Sequence, residues 1–156
     1  HLQAHQELFF TRIVYEDIRP VFADIAPQRS LQEVGKEEDI LAIAGIASPQ
    51  LFISEVEKYS AGVVPMIFPD HHGFGKQDFR KIKSRFDQMQ SGGKFILVTE
   101  KDAARLVSHP LLPEEWKKLL YYLPIGIDFC MDRKPAFDQL IQKHIITIQR
   151  NKILRL

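Results

Sequence analysis

Short apolar runs without polar alternation take turns along this chain with stretches where apolar residues return every three or four positions. "ILAIAGI" at 40–46 is such a run, as expected of a strand covered on both faces. "SPQLFISEVEKYSA" then changes to helical spacing through Leu51, Val56 and Tyr59. Ser48 and Pro49 make a good helix opening: serine can cap a free backbone N–H, and proline at the first helical position loses no hydrogen bond. The pattern repeats as "VVPMIF" and then "KQDFRKIKSRFDQMQ", with Phe79, Ile82 and Phe86 on one face and Gly92–Gly93 as the stop. "KFILVTE" is a third strand and "KDAARLV" a third helix. "LLYYLPI" precedes a last helix around "AFDQLIQKHIITIQR", whose Phe137, Leu140, Ile141, His144, Ile145 and Ile148 recur as a helix core and rim.

Upstream, "LFFTRIVY" is aromatic and β-branched, Glu16 and Asp17 supply a turn, and "IRPVF" reads as the returning strand of a hairpin, with Pro20 at an edge. The stretch 26–39 is polar without a clear period and reads as an exposed loop. Residues 1–39 are thus expected to be a β-hairpin linker and loop, and 40–156 a compact domain. Strand and helix alternation predicts α/β architecture, a three-layer Rossmann-like domain with a mostly parallel sheet. Right-handed crossovers put successive strand ends on one rim, so "GIASP", "FPDHHGFG" and "TEKDA" all leave carboxyl ends, where open sheets build their sites.

Composition narrows the partners. The 156 residues are 45% apolar and carry 21 basic against 20 acidic residues, net +1, spread over both halves. That is enough for one ordinary core and no basic stripe, so a nucleic-acid partner is not expected. Trp116 and the Tyr121–Tyr122 pair are accordingly read as packing. Cys130 is alone, which excludes an internal disulfide and a cysteine zinc site. No apolar run nears the roughly 18 residues of a membrane span. The start at His1, running at once into "ELFFTRIVY", suggests a fragment.

Candidate chemistry centres on "FPDHHGFG". Asp70, His71 and His72 resemble the motif of the DHH phosphoesterases, but the further acids those enzymes need are not evident, and adjacent side chains leave an extended backbone in opposing directions. A general acid–base role is the second reading, since histidine titrates near neutrality and a carboxylate can fix its tautomer. The bland alternative is a pair of loop histidines bonded to carbonyls. In "TEKDA", Thr99 and Asp102 have capping-box spacing, and Lys101 could instead sit near a phosphate. Gly45 permits close approach, and the N–H groups after Ser48 could receive an anion. The chain contains no G-x-x-x-x-G-K-[ST], no G-x-G-x-x-G after a strand and no G-x-S-x-G.

Four segments in order, "ILAIAGIASPQLFISEV", "FPDHHGF", "LVTEKDAARL" and "YYLPIGI", resemble the tetraacyldisaccharide 4'-kinases (lipid A 4'-kinases) of Gram-negative outer-membrane biosynthesis. The resemblance runs from about Ile40 to the end, and "LFFTRIVYEDIRPVF" is similar to the segment before it. It implies an ATP-dependent, magnesium-requiring kinase acting on the 4' hydroxyl of an acylated glucosamine disaccharide 1-phosphate, peripheral to the cytoplasmic face of the inner membrane. The family's P-loop and magnesium-binding acids belong to an amino-terminal domain. This chain resembles only the carboxy-terminal half: it is expected to be soluble, to bind neither ATP nor Mg2+ by itself, to be inactive alone, and to partner its own amino-terminal P-loop domain. In the family the recurrent pair is Asp-His, followed by His or Gln. The resemblance therefore implies His71 as the catalytic histidine with Asp70 beside it, pairing with an aspartate of the other half. It leaves His72, Thr99, Lys101 and Asp102 as weaker candidates that shape the cleft. A free-standing α/β interaction module and a metal-dependent phosphoesterase are the competing expectations.

Overall fold

The computed structural model describes residues 3, 6–34 and 38–153. Tyr15–Pro124 forms one compact unit, and residues from His1–Val14 and Ile125–Leu156 form a second. The bounds of these units fall at 14/15 and 124/125 rather than at the expected 39/40.

The larger unit holds a five-stranded sheet. Its strands are β2 (Arg19–Pro20), β3 (Glu38–Ala44), β4 (Gly62–Ile67), β5 (Gly93–Thr99) and β6 (Leu120–Leu123), in the order β2-β6-β5-β3-β4. All pairs are parallel except β2 with β6. The mostly parallel sheet follows from the unalternating apolar strands, because both faces of β3 and β5 are covered. Ile40, Ala42, Ala44, Phe95 and Leu97 pack with Phe52, Ile53 and Val56 of helix α1 (Pro49–Val56). Their neighbours Leu41, Ile43, Ile96 and Val98 pack on the other face. There they meet Phe79, Ile82 and Phe86 of α2 (Lys76–Asp87) and Ala103 and Leu106 of α3 (Glu100–Leu106). This gives three layers, with α1 on one side and α2 and α3 on the other, as right-handed crossovers require. Pro65 is tolerated because β4 is an edge strand.

Several expectations change. The N-terminal strand β1 (Thr11–Tyr15) does not pair with its neighbour in sequence: it pairs with β7 (Ile125–Phe129), while Arg19 and Pro20 lie against Tyr122 and Tyr121 of β6. Glu16 does not close a hairpin turn; its N–H donates to the Pro124 carbonyl at 3.2 Å. The partner of both halves is thus the late stretch 120–129, which local turn signals cannot identify. Nor is 26–34 an exposed loop: Arg29 bridges to Ile18, Ser30 caps a 3-10 turn at Leu31–Glu33, and Ala26, Leu31 and Val34 are buried in the α1-side core. In α1 it is Phe52 and Ile53 that turn inward, and Leu51 is 62% exposed. Ser48 precedes α1 as expected but makes no side-chain capping bond. Helix α2 ends at Asp87, and Gly93 opens β5 rather than closing the helix.

In the smaller unit Phe9, Phe129 and Phe137 form a ring cluster, with centroids 4.9 to 6.3 Å apart. Arg12 pairs with Asp128 at 2.6 Å and Arg133 with Glu7 at 3.1 Å. Phe137 anchors the first turn of helix α4 (Lys134–Ile153). Beyond that turn Leu140, Ile141, His144, Ile145 and Ile148 are exposed, so the expected core face of this helix is uncovered in the described chain.

The layer assignment predicts unequal costs for two leucines. Leu41→Ala, at a fully buried position, should cost about 3 kcal/mol of unfolding free energy, whereas Leu51→Ala should stay within about 0.5 kcal/mol. Urea denaturation of the two variants measures this, and equal midpoints would contradict the assignment.

Candidate active site

Strands β3, β4 and β5 run the same way, so Ala44, Ile67 and Thr99 end on one rim. From β3 the chain crosses by α1 to β4 on one side, and from β5 it crosses by α3 to β6 on the other. Between β3 and β5 the connections diverge, and that point is where an open α/β sheet leaves a crevice.

Asp102 fills the base of it. The residue is fully buried. Its Oδ2 accepts the Gly45 N–H at 2.8 Å and the Thr99 hydroxyl at 2.6 Å, and Arg105 Nη1 donates to its Oδ1 at 3.3 Å. Thr99 Oγ1 in turn accepts the Asp102 N–H at 3.2 Å, the helix-capping bond that the spacing predicts. The carboxylate does not complete a capping box; it reaches across to β3 instead. Gly45 makes the approach feasible, since a Cβ there would lie 3.0 Å from Asp102 Oδ1 and 3.6 Å from the Pro69 carbonyl oxygen.

The loop after β4 separates the two histidines. Phe68 and Phe74 are buried and hold its ends, and the Phe68 N–H donates to the Ala44 carbonyl at 2.9 Å. Asp70 Oδ1 accepts the His71 N–H at 2.9 Å and Lys101 Nζ at 2.6 Å. The Lys101 ammonium, with the His71 N–H, holds this carboxyl below its usual range. His71 sits in the left-handed region, φ 58°, which costs on the order of 1 kcal/mol for a residue with a side chain. Its ring is 76% exposed, with Nδ1 3.4 Å from Arg105 Nη2 and Nε2 3.5 Å from Asp70 Oδ2.

His72 turns away. Its ring stacks on Phe68 with centroids 4.8 Å apart, and its Nε2 lies 3.0 Å from Asp78 Oδ2. That oxygen also accepts the Gly75 N–H at 2.8 Å, which secures the start of α2. The Gly75 bond first, then His72, pulls the Asp78 carboxyl below its usual value. Asp70, His71, Thr99, Lys101 and Asp102 are thus brought together, and His72 serves the loop's foundation. Among the described residues no three His, Cys, Asp or Glu side chains converge. With the two histidines committed to different partners, the ligand set of a DHH phosphoesterase does not assemble from this loop. Arg105 is the member that sequence reading missed, although its position three residues after Asp102 on a helix was a signal for a side-chain pair.

Fold and site together define the class: a Rossmann-like α/β domain that presents a polar cluster, headed by an exposed histidine, at the switch point of its sheet. The sequence profile of the family described as tetraacyldisaccharide-1-P 4'-kinase (LpxK) matches residues 3–146, and the chain belongs to that family. It is 48% identical over 156 residues to the tetraacyldisaccharide 4'-kinase of Parabacteroides distasonis, covering 99% of this chain and 42% of that protein. Against the Bacteroides fragilis protein of the same name it is 37% identical over 153 residues, covering 97% and 41%. Among solved structures, the "apo" form of LpxK from Aquifex aeolicus in complex with ATP aligns with 92% of this chain and 38% of that one, at 17% identity and a TM-score of 0.47. The chain spans about two fifths of the length of the curated relatives it matches.

The Asp78 contacts predict an acid dependence. Because its folded value is depressed, its contribution is full above the unfolded value of 3.8 and is lost as pH falls through the lower folded value. Asp78→Asn, which removes the charge that faces the Gly75 N–H and His72, should cost about 1 kcal/mol at neutral pH, with the difference closing as pH drops below 3.8. Urea midpoints taken between neutrality and strong acid would show it; a difference independent of pH would contradict the assignment.

Proposed function

We propose that this chain is the carboxy-terminal half of a tetraacyldisaccharide 4'-kinase, and that it contributes His71 to a cleft completed by an amino-terminal P-loop domain. The reaction moves the γ-phosphoryl group of ATP to the 4' hydroxyl of an acylated glucosamine disaccharide 1-phosphate, and ADP leaves. The hydroxyl loses its proton to an aspartate of the other half, and His71 hydrogen-bonds that aspartate and orients it. Phosphoryl transfer depends mainly on positioning and charge compensation, which a closing two-domain cleft provides.

The observation that carries this reading is the placement of His71: most of its ring is exposed on the carboxyl-end rim, while buried or paired groups hold its backbone and Nδ1 side. Asp70 supports it from the loop, and Thr99, Lys101 and Asp102 shape the cleft floor. ATP and Mg2+ belong with the other half, because the two rim carboxylates do not suit a divalent ion: Asp102 is buried among three donors and Asp70 is paired with Lys101. No helix among the described residues is long and apolar enough to cross a membrane. The full-length enzyme would meet its lipid substrate peripherally, at the cytoplasmic face of the inner membrane.

In the full-length enzyme, His71→Ala should lower turnover about a hundredfold with an unchanged melting temperature, and normal turnover would reject the catalytic role. The chain alone, given ATP, Mg2+ and the lipid disaccharide, should transfer no phosphate; measurable transfer would overturn the division of labour.

A further inference from the structure

We propose that Arg105 is a positioning residue that acts through His71: braced on the buried Asp102 carboxylate, it selects, in the neutral ring, the tautomer with Nδ1 as acceptor and Nε2–H as the outward donor. The activity consequence rests on the catalytic reading of His71, and the tautomer does not.

A guanidinium is always charged, has five N–H donors and cannot accept. In the neutral ring its approach to His71 Nδ1 at 3.4 Å therefore favours the tautomer with a bare Nδ1, which carries its proton on Nε2. Arg105 has little freedom to leave, because its Nη1 is tied to Asp102 Oδ1 at 3.3 Å, its side chain is only 26% exposed, and Asp102 has no exposure at all. The left-handed backbone at His71, pinned by its N–H bond to Asp70 Oδ1, brings the ring into range of this second fork.

The charged groups around the ring are Arg105 on the Nδ1 side, Asp70 on the Nε2 side, Lys101 on Asp70 and Asp102 behind Arg105. Asp70 Oδ2 stands 3.5 Å from Nε2, and like the 3.4 Å Arg105 contact this is long, so the Nε2 side keeps room for a closer partner. The Nε2–H is thus presented but not spent, ready for a closer anionic acceptor such as a carboxylate. Arg105 supplies the orientation without touching that acceptor.

Two measurements test this. In the chain itself, nitrogen–proton correlation spectra of the His71 ring above neutral pH should show a bare Nδ1 and a protonated Nε2. Arg105→Ala should shift both nitrogens toward averaged values. Arg105→Gln, whose one amide can serve Asp102 but not both partners, should do the same, and it keeps the test open if the alanine variant fails to fold. A parent spectrum already averaged, or variants that match the parent, would overturn the proposal. In the full-length enzyme either variant should lower kcat about tenfold with little change in KM, and combining it with His71→Ala should be no slower than His71→Ala alone. Multiplying losses would sink the route through His71. If His71→Ala itself turns over normally, the catalytic reading fails, and the spectra alone decide whether Arg105 positions the ring.

Discussion

The rim depends on one buried carboxylate. An unpaired charge the size of Asp102 would cost several kcal/mol to bury, so its environment has to supply donors in fixed places. It does so from three elements of the fold: the Gly45 N–H at the end of β3, the Thr99 hydroxyl at the end of β5, and Arg105 one turn along α3. The result is a clamp across the point where the two halves of the sheet part company. A crevice there would otherwise be the least supported place in a parallel sheet, because no ladder hydrogen bond continues beyond the strand ends. Asp102 replaces that missing support and also aims the helix that carries Lys101 and Arg105.

From this clamp exposure rises outward through Arg105, Asp70 and Lys101 to the His71 ring. Lys101 leans on Asp70, Asp70 holds the His71 N–H, and Arg105 faces the His71 ring. Each exposed ion pair of this kind is worth little by itself. Together they direct an imidazole that is mostly solvent-exposed.

What the chain's pattern disclosed, and what it hid, follows from the range of the physics involved. Strands buried on both faces have no alternation, so β3 and β5 and the rim they create were legible, as was the inward face of α2. The cap at Thr99 was legible because it is local. Hidden were the interactions that join distant segments. The partner of β1 is β7, and the reach of Asp102 to Gly45 spans 57 positions that no spacing rule connects. His71 and His72 could not be told apart from residue types, since the difference is a left-handed φ at one and a stack on Phe68 at the other. Leu51 misled because a short helix offers two nearly equivalent periodic readings, and only the position of the sheet chooses Phe52 and Ile53.

The same accounting of partners describes the side of the cluster that faces solvent. The two carboxylates beside His71 are already engaged: Asp102 by three donors, Asp70 by Lys101 and the loop N–H. Asp70 Oδ1 takes both of that residue's bonds, and its Oδ2 stands 3.5 Å from His71 Nε2. On the reading proposed for His71, the open Nε2 side of this exposed ring is where a carboxylate from outside the cluster would dock.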